Sequence, residues 1–154
     1  MTKIRKVHRK PYRDRADLEV RLTAVQRLLC SLRDCDLPQD SKKRMLHHAI
    51  WEVARVLGNF TPEFRSKGVL EGEVGTKIER EHVFKRKKIV ADILLAREDI
   101  AAIVQRIVHC VVTKAEHDRL RGVSDSVDGW SRYTMAGVEV YRCRGEKPER
   151  HEVA

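Results

Sequence analysis

Two carboxylate–histidine steps stand out in this sequence, at Glu81-His82 and at Glu116-His117. A neutral imidazole can take a proton from water near pH 7. A carboxylate and an imidazole together form a mixed oxygen and nitrogen site that suits Mg²⁺, Mn²⁺ or Zn²⁺ and leaves positions open for water or phosphate. We predict that the fold brings the two steps face to face.

Short strands are predicted next to both steps. Residues 78–84 alternate as in a strand, with His82 on one face and Glu81 on the other. Cys110-Val111-Val112 is apolar and rich in β-branched residues, which predicts a second, buried strand just before the second step.

A helix is predicted directly after the second strand. Thr113 and Glu116 have the spacing of a capping box, in which each side chain bonds a backbone amide of the first turn. The helix therefore begins at Thr113 and ends at Gly122. His117 lies just past its first turn.

Four consecutive cations, Lys85-Arg86-Lys87-Lys88, follow the first strand and begin another predicted helix. Cations at a helix N-terminus oppose the macrodipole and repel one another, so an external polyanion would relieve the cost. A polar loop predicted over residues 59–77 contains Arg65-Ser66-Lys67-Gly68, which forms either a phosphate-binding turn or an ordinary polar turn. The residues expected to contact nucleic acid are Arg65, Lys67, Arg80, Lys85, Lys87 and Lys88.

The composition fits a basic protein that binds polyanions. The 154 residues carry a net charge of +9, and 36% of them are charged, against about 25% in an average protein. DNA or RNA is the expected partner. No run of 18 apolar residues occurs, so no membrane partner is expected. The four cysteines include no C-x-x-C pair and are expected to be reduced thiols in a cytoplasm-like compartment.

The predicted fold class is α+β and predominantly helical. Residues 1–14 are expected to form a mobile basic arm, residues 15–144 one globular domain and residues 145–154 a charged tail. Within the domain, a helical hairpin (15–58) is expected to pack on a small sheet with a helix after its second strand. The candidate catalytic part spans 76–144. The first hairpin helix is predicted from an apolar stripe at Leu18, Leu22, Val25, Leu29 and Leu32.

The strand carrying Glu81-His82, the strand 110–112 and the capped helix carrying His117 resemble the ββα-metal motif of HNH (His-Me finger) nucleases. The resemblance covers residues 78–84 and 110–120. It implies that His82 is the general base and that Glu81 and His117 bind one divalent metal (Mg²⁺, Mn²⁺ or Zn²⁺). Arg80 or Arg86 would hold the scissile phosphate.

The sequence departs from the family pattern in three ways. A helical stretch of about 25 residues separates the two strands, where a short hairpin loop is expected. The residue before the base is Glu, whereas Asp or His is more usual. The middle Asn of the family is missing; His109 is the nearest substitute, but it is predicted to precede the second strand.

The predicted function is that of a metal-dependent endonuclease-like protein, and two alternatives stay open. His82 and His117 could act as a metal-independent acid–base pair, as in ribonucleases that use the RNA 2′-hydroxyl. The chain could also be a non-catalytic basic module that binds nucleic acid or another protein. The missing Asn favours binding, whereas the paired Glu-His steps favour catalysis.

Overall fold

The computed structural model describes residues 2–56 and 62–152, and its packed elements divide into two units. Residues 14–60 and 84–108 belong to a helical unit, and residues 1–13, 61–83 and 109–154 belong to a sheet unit. The fold class is α+β, as the sequence predicts. None of the helices within the described ranges combines the length and the apolarity needed to cross a membrane.

The chain alternates between the two units. Its elements follow one another as β1 (Thr2–Lys3), a 3₁₀ turn (Lys6–Arg9), α1 (Leu18–Asp34), α2 (Gln39–Val56), β2 (Phe64–Ser66), α3 (Lys67–Glu71), β3 (Lys77–His82), α4 (Arg86–Leu94), α5 (Ile100–Gln105), β4 (His109–Thr113), α6 (Lys114–Arg121), α7 (Trp130–Met135), β5 (Val140–Arg142) and β6 (Glu149–Arg150).

The helical unit is built on the predicted hairpin of α1 and α2. The stripe on α1 is buried at Val25 and Leu29, and α4 and α5 pack against the hairpin to close the core. Leu57 and Gly58, for which the sequence predicts the end and the cap of the second helix, lie outside the described residues. The buried core residues are Val25, Leu29, Leu46, Ile50, Val53, Ile89, Val90, Ile93, Ile100, Ile103, Val104 and Ile107.

The sheet unit contains six strands in the order β1-β3-β4-β2-β5-β6 among the described residues. β2 and β4 run parallel, and every other neighbouring pair is antiparallel. Both parallel strands lead directly into a helix, β2 into α3 and β4 into α6. Two strand–helix steps therefore lie side by side in this unit.

The loop predicted over residues 59–77 is wrong for residues 64–71, half of its described part, which form β2 and α3. Ser66 caps α3 by accepting a hydrogen bond from the Val69 amide at 3.3 Å. Gly68 lies inside α3, where glycine normally costs helix stability. Its presence has a packing reason, because an added Cβ would lie 2.7 Å from Glu116 Oε1.

The mobile arm predicted at the N-terminus is packed against the sheet unit. β1 pairs with β3, and the side chains of Ile4, His8 and Tyr12 are buried. The charged tail is also partly structured, since β6 pairs with β5 and the His151 ring lies 4.4 Å from the Trp130 ring. Both ends of the described chain therefore belong to the fold of this unit.

Two histidines with lowered pKa values make the stability of the sheet unit pH-dependent. Burial and the nearby Arg65 and Arg80 cations lower the pKa of His8, and burial lowers that of His151. A histidine with a lowered folded-state pKa binds fewer protons folded than unfolded, so stability falls as the pH drops through the ordinary value of about 6.5. We expect the melting temperature to fall between pH 7.5 and 5.5.

A His8→Asn variant isolates the contribution of His8 to that pH dependence. His8 Nδ1 accepts a hydrogen bond from the Arg5 amide at 2.9 Å, and the Asn oxygen preserves an acceptor without a titrating group. Thermal melts across this pH range should show a shallower slope for the variant. Identical slopes for the variant and the wild-type protein would contradict the assignment.

Candidate functional site

β3, β4 and α6 form a ββα unit. β3 and β4 pair antiparallel over five residues, from Ile78 with Thr113 to His82 with His109. α6 begins directly after β4 and packs against both strands. α4 and α5 lie between β3 and β4 along the chain, so this long insertion does not prevent the strands from pairing.

Glu81 and His117 meet across this unit. Thr113 caps α6 and completes the predicted capping box with Glu116, which fixes where the helix starts. His117, on the same helix, then lies with Nδ1 2.9 Å from Glu81 Oε2. The two residues that the sequence predicts as metal ligands are therefore in direct contact.

Arg132, on α7, binds the other oxygen of the same carboxylate. Its Nη2 donates to Glu81 Oε1 at 2.5 Å, and the residue is only 6% exposed. The buried guanidinium offsets the charge of Glu81 and ties α7 to β3. The sequence gives no signal for this contact, because 51 residues separate its partners and both lie in ordinary amphipathic patterns.

His82 pairs with His109 directly across the two strands. Their Nε2 atoms lie 3.2 Å apart, their ring centroids lie 4.1 Å apart, and both residues are 8% exposed. His109 is the first residue of β4, rather than preceding the strand as the sequence predicts. It therefore occupies a position from which it can orient the candidate base.

The prediction that the two Glu-His steps lie face to face is wrong. Consecutive strand residues project to opposite faces of a sheet. Glu81 points to the face that contacts α6 and α7, whereas His82 shares the other face with Ile78. The candidate base and the candidate metal ligands therefore leave β3 on opposite faces, from neighbouring backbone positions.

Glu116 is turned away from Glu81 and serves the fold. Its carboxylate is 7% exposed and accepts hydrogen bonds from Ser66 Oγ at 2.5 Å, the Gly68 amide at 3.2 Å and the Thr113 amide at 2.8 Å. It thereby satisfies amides at the starts of both α3 and α6. This buried network joins the two parallel strand–helix steps.

The Arg-Ser-Lys-Gly turn is not an open phosphate cradle. Arg65 is 1% exposed and donates to the carbonyls of Pro62, His8 and Lys10. Lys67 lies 3.3 Å from the Glu139 carboxylate, and this hydrogen bond raises the pKa of the lysine. Arg65 therefore stabilises the fold, and Lys67 already has a carboxylate partner.

The remaining predicted cations lie in two different units. Arg80 lies on β3 and is partly buried, whereas Lys85, Lys87 and Lys88 surround the start of α4 in the helical unit. Arg86 belongs to the same helix, and its guanidinium lies 4.9 Å from the centre of the Trp51 ring, within the range of a cation–π contact.

Cys110 and Tyr133 lie near Glu81, but both are unsuited to act as nucleophiles. Burial raises the pKa of the Cys110 thiol and of the Tyr133 hydroxyl well above their usual values. Both groups are thus held in their protonated forms near neutral pH. The candidate residues for chemistry in this region are therefore Glu81, His82 and His117, with His109 beside His82.

Glu81 and His117 fit a divalent ion as two of its ligands. Adjacent ligand atoms of an octahedral Mg²⁺ or Mn²⁺ lie roughly 3 Å apart, which agrees with the 2.9 Å between Oε2 and Nδ1. Mg²⁺ usually keeps several waters and takes only one or two protein ligands. Over residues 2–56 and 62–152, no group of three or more His, Cys, Asp or Glu side chains is arranged to hold a metal.

Three comparisons with known proteins found no similar protein. No protein-family model matches the sequence, and neither the search of curated proteins nor the search of solved structures gave a match.

Proposed function

We propose that the protein hydrolyses phosphodiester bonds in nucleic acid as a metal-dependent endonuclease. The observation that carries this proposal is the contact of 2.9 Å between Glu81 and His117 on a ββα unit that also holds His82. This contact supports the resemblance to HNH nucleases, and the long insertion between the two strands does not prevent it. The net charge of +9 suits a polyanionic substrate.

The roles of the residues follow from their contacts. His82, oriented by His109, takes a proton from the attacking water. Glu81 and His117 would hold the divalent ion, which stabilises the negative charge on the leaving oxygen when bound. His82 is the last residue of β3, so the base and Glu81 occupy adjacent Cα positions about 3.8 Å apart. Their side chains leave β3 on opposite faces, so a phosphodiester would have to lie across this end of the strand to reach both groups.

Arg80, Arg86, Lys85, Lys87 and Lys88 stay candidates for contacts with the phosphate backbone. Cations that neutralise phosphates release counterions and so supply much of the affinity for nucleic acid. Lys67 is a weaker candidate, because binding a phosphate would compete with its contact to Glu139.

A non-catalytic nucleic-acid-binding protein is the second candidate function. The ion pair between Arg132 and Glu81 favours it, because a buried arginine already neutralises the carboxylate that the metal would bind. The same ββα unit would then serve only to hold the sheet unit together.

The decisive experiment is a cleavage assay on plasmid DNA, single-stranded DNA and RNA with Mg²⁺, Mn²⁺ or EDTA. Removing a general base typically costs 100- to 10,000-fold in rate. We therefore expect His82→Asn to lower cleavage by at least about 100-fold. His48→Asn, at an exposed histidine of the helical unit, is the matched control and should cleave like wild type.

Two other outcomes separate the alternatives. RNA cleavage that persists in EDTA would support a metal-independent mechanism. Binding of nucleic acid without cleavage under any condition would support the non-catalytic binding protein. Glu81→Gln is a poor single test of metal binding, because it would also leave the buried Arg132 without its carboxylate partner.

A further inference from the structure

Residues 2–13, here called the basic segment, form an ordered part of the sheet unit. Three side chains at a spacing of four residues, Ile4, His8 and Tyr12, are buried. Ile4 packs against Val69, Ile78 and Val111. The segment therefore lies on the same face of the sheet as Ile78, which is also the face of His82.

Hydrogen bonds hold the backbone of the basic segment along its length. The Ile4 amide donates to the Thr76 carbonyl at 2.8 Å, and the Tyr12 amide donates to the Cys143 carbonyl at 2.5 Å. Between these ends, Arg65 Nη1 donates to the carbonyls of His8 and Lys10, each at 2.6 Å. These contacts fix the backbone, whereas the cations between the buried positions are exposed.

Six of the eight exposed side chains described in the basic segment are cations. It contains no acidic residue, and each of its cations is exposed: Lys3, Arg5, Lys6, Arg9, Lys10 and Arg13. Arg9 Nη2 donates to the Gly72 carbonyl at 2.5 Å, which places Glu71 and Glu73 nearby in the chain. Six cations against these two carboxylates leave an excess of four positive charges. Arg80 adds to the field, since it is close enough to lower the pKa of His8.

We propose that the basic segment is a docking surface for the phosphodiester backbone of nucleic acid. This inference rests on the proposed action on nucleic acid and names the surface that would hold the substrate. Cations whose backbone is already ordered lose less conformational entropy on binding than those of a mobile arm. The contacts are to phosphates, so the surface binds without sequence preference.

The chemistry of the segment favours nucleic acid over an anionic membrane. A segment that adsorbs to a bilayer inserts apolar side chains among the lipids in addition to its cations. Here Ile4 and Tyr12 point into the protein, where their apolar surface is already buried. Among the described side chains of the segment, the surface therefore offers charge without a large apolar residue to insert.

The test compares two triple variants that remove equal charge. Lys3→Gln, Lys6→Gln and Lys10→Gln alter the basic segment, whereas Arg27→Gln, Lys43→Gln and Lys147→Gln remove three exposed cations elsewhere. Binding to fluorescein-labelled duplex DNA and single-stranded RNA is measured by anisotropy in EDTA, over a series of KCl concentrations. We expect the first triple to weaken binding at least about tenfold and to lower the salt slope by about two to three, and the control to change affinity less than about threefold.

Equal losses in the two triples would overturn the proposal, as would a wild-type protein that binds only anionic phosphatidylserine vesicles or no polyanion. Thermal melts establish that both triples fold. Because EDTA excludes metal-dependent cleavage, the binding test is independent of the proposed hydrolysis. If the protein binds through this segment but never cleaves, only the proposed hydrolysis is refuted. If the variant with Lys3, Lys6 and Lys10 replaced binds and cleaves like wild type, only the docking surface is refuted.

Discussion

Replacing Glu116 with alanine is expected to destabilise the protein by about 4 kcal/mol, because it leaves several buried donors without an acceptor. The carboxylate accepts from Ser66 Oγ, the Gly68 amide and the Thr113 amide, and each unmet buried donor costs about 1–3 kcal/mol. For a protein of this size, the melting temperature should fall by about 10 °C. Glu146→Ala, at an exposed carboxylate, is the control and should melt like wild type.

A double-mutant cycle with Gly68→Ala tests whether the carboxylate packs against this glycine. Alanine normally stabilises a helix by up to about 1 kcal/mol relative to glycine. Here the new Cβ would lie 2.7 Å from Glu116 Oε1, so Gly68→Ala should destabilise the wild-type protein. In the Glu116→Ala background the clash is absent, and the same substitution should be neutral or stabilising. Additive effects in denaturant unfolding would contradict this contact.

The behaviour of Glu116 shows which parts of the site the sequence could predict. The capping box with Thr113 is a local pattern, so residue spacing alone predicts it and places the start of α6 correctly. The bonds to Ser66 and Gly68 join positions 50 and 48 residues away. They depend on the parallel pairing of β2 with β4, which no local pattern in the sequence indicates.

The same distinction applies to the candidate catalytic residues. The strand, capping and helix signals predict that Glu81 and His117 lie on neighbouring elements, and the structure brings them into contact. The pairing of His82 with His109 depends on strand register and on where β4 begins, a boundary that the sequence predicts one residue too late. The face-to-face arrangement fails because alternation along β3 sends Glu81 and His82 to opposite faces.

The basic segment shows how composition can mislead. Its six cations and one proline are typical of a solvated chain, so the composition predicts a mobile arm. The buried residues that order it are single side chains at positions 4, 8 and 12, too sparse for a strand or helix pattern. Contacts with the rest of the sheet unit hold the segment, among them the hydrogen bonds from Arg65 to the carbonyls of His8 and Lys10.

Replacing Arg65 with methionine is expected to release the basic segment and to destabilise the protein by about 3–5 kcal/mol, because three carbonyls lose a charged donor. Burial lowers the pKa of the arginine, which reflects the cost of removing this cation from water. Its Nη1 donates to the carbonyls of His8 and Lys10 while its Nε donates to that of Pro62, and the single nitrogen of a lysine cannot reproduce both directions. Arg65→Lys should therefore recover little of the lost stability.

The measurement for this prediction combines denaturant unfolding with hydrogen exchange and limited trypsin digestion of the basic segment. In Arg65→Met, the amides of residues 5–10 and 12 should exchange faster, and trypsin should cut after Arg5, Lys6 or Arg9 before the rest of the chain is digested. Arg142→Met is the matched control, because Arg142 pairs with Glu63 on the surface and is half exposed. If Arg65→Met matched this control in both assays, Arg65 would not be what orders the segment. If the segment is released as expected, the same variant should also bind nucleic acid more weakly although all six of its cations are intact, because their backbone is no longer held in place.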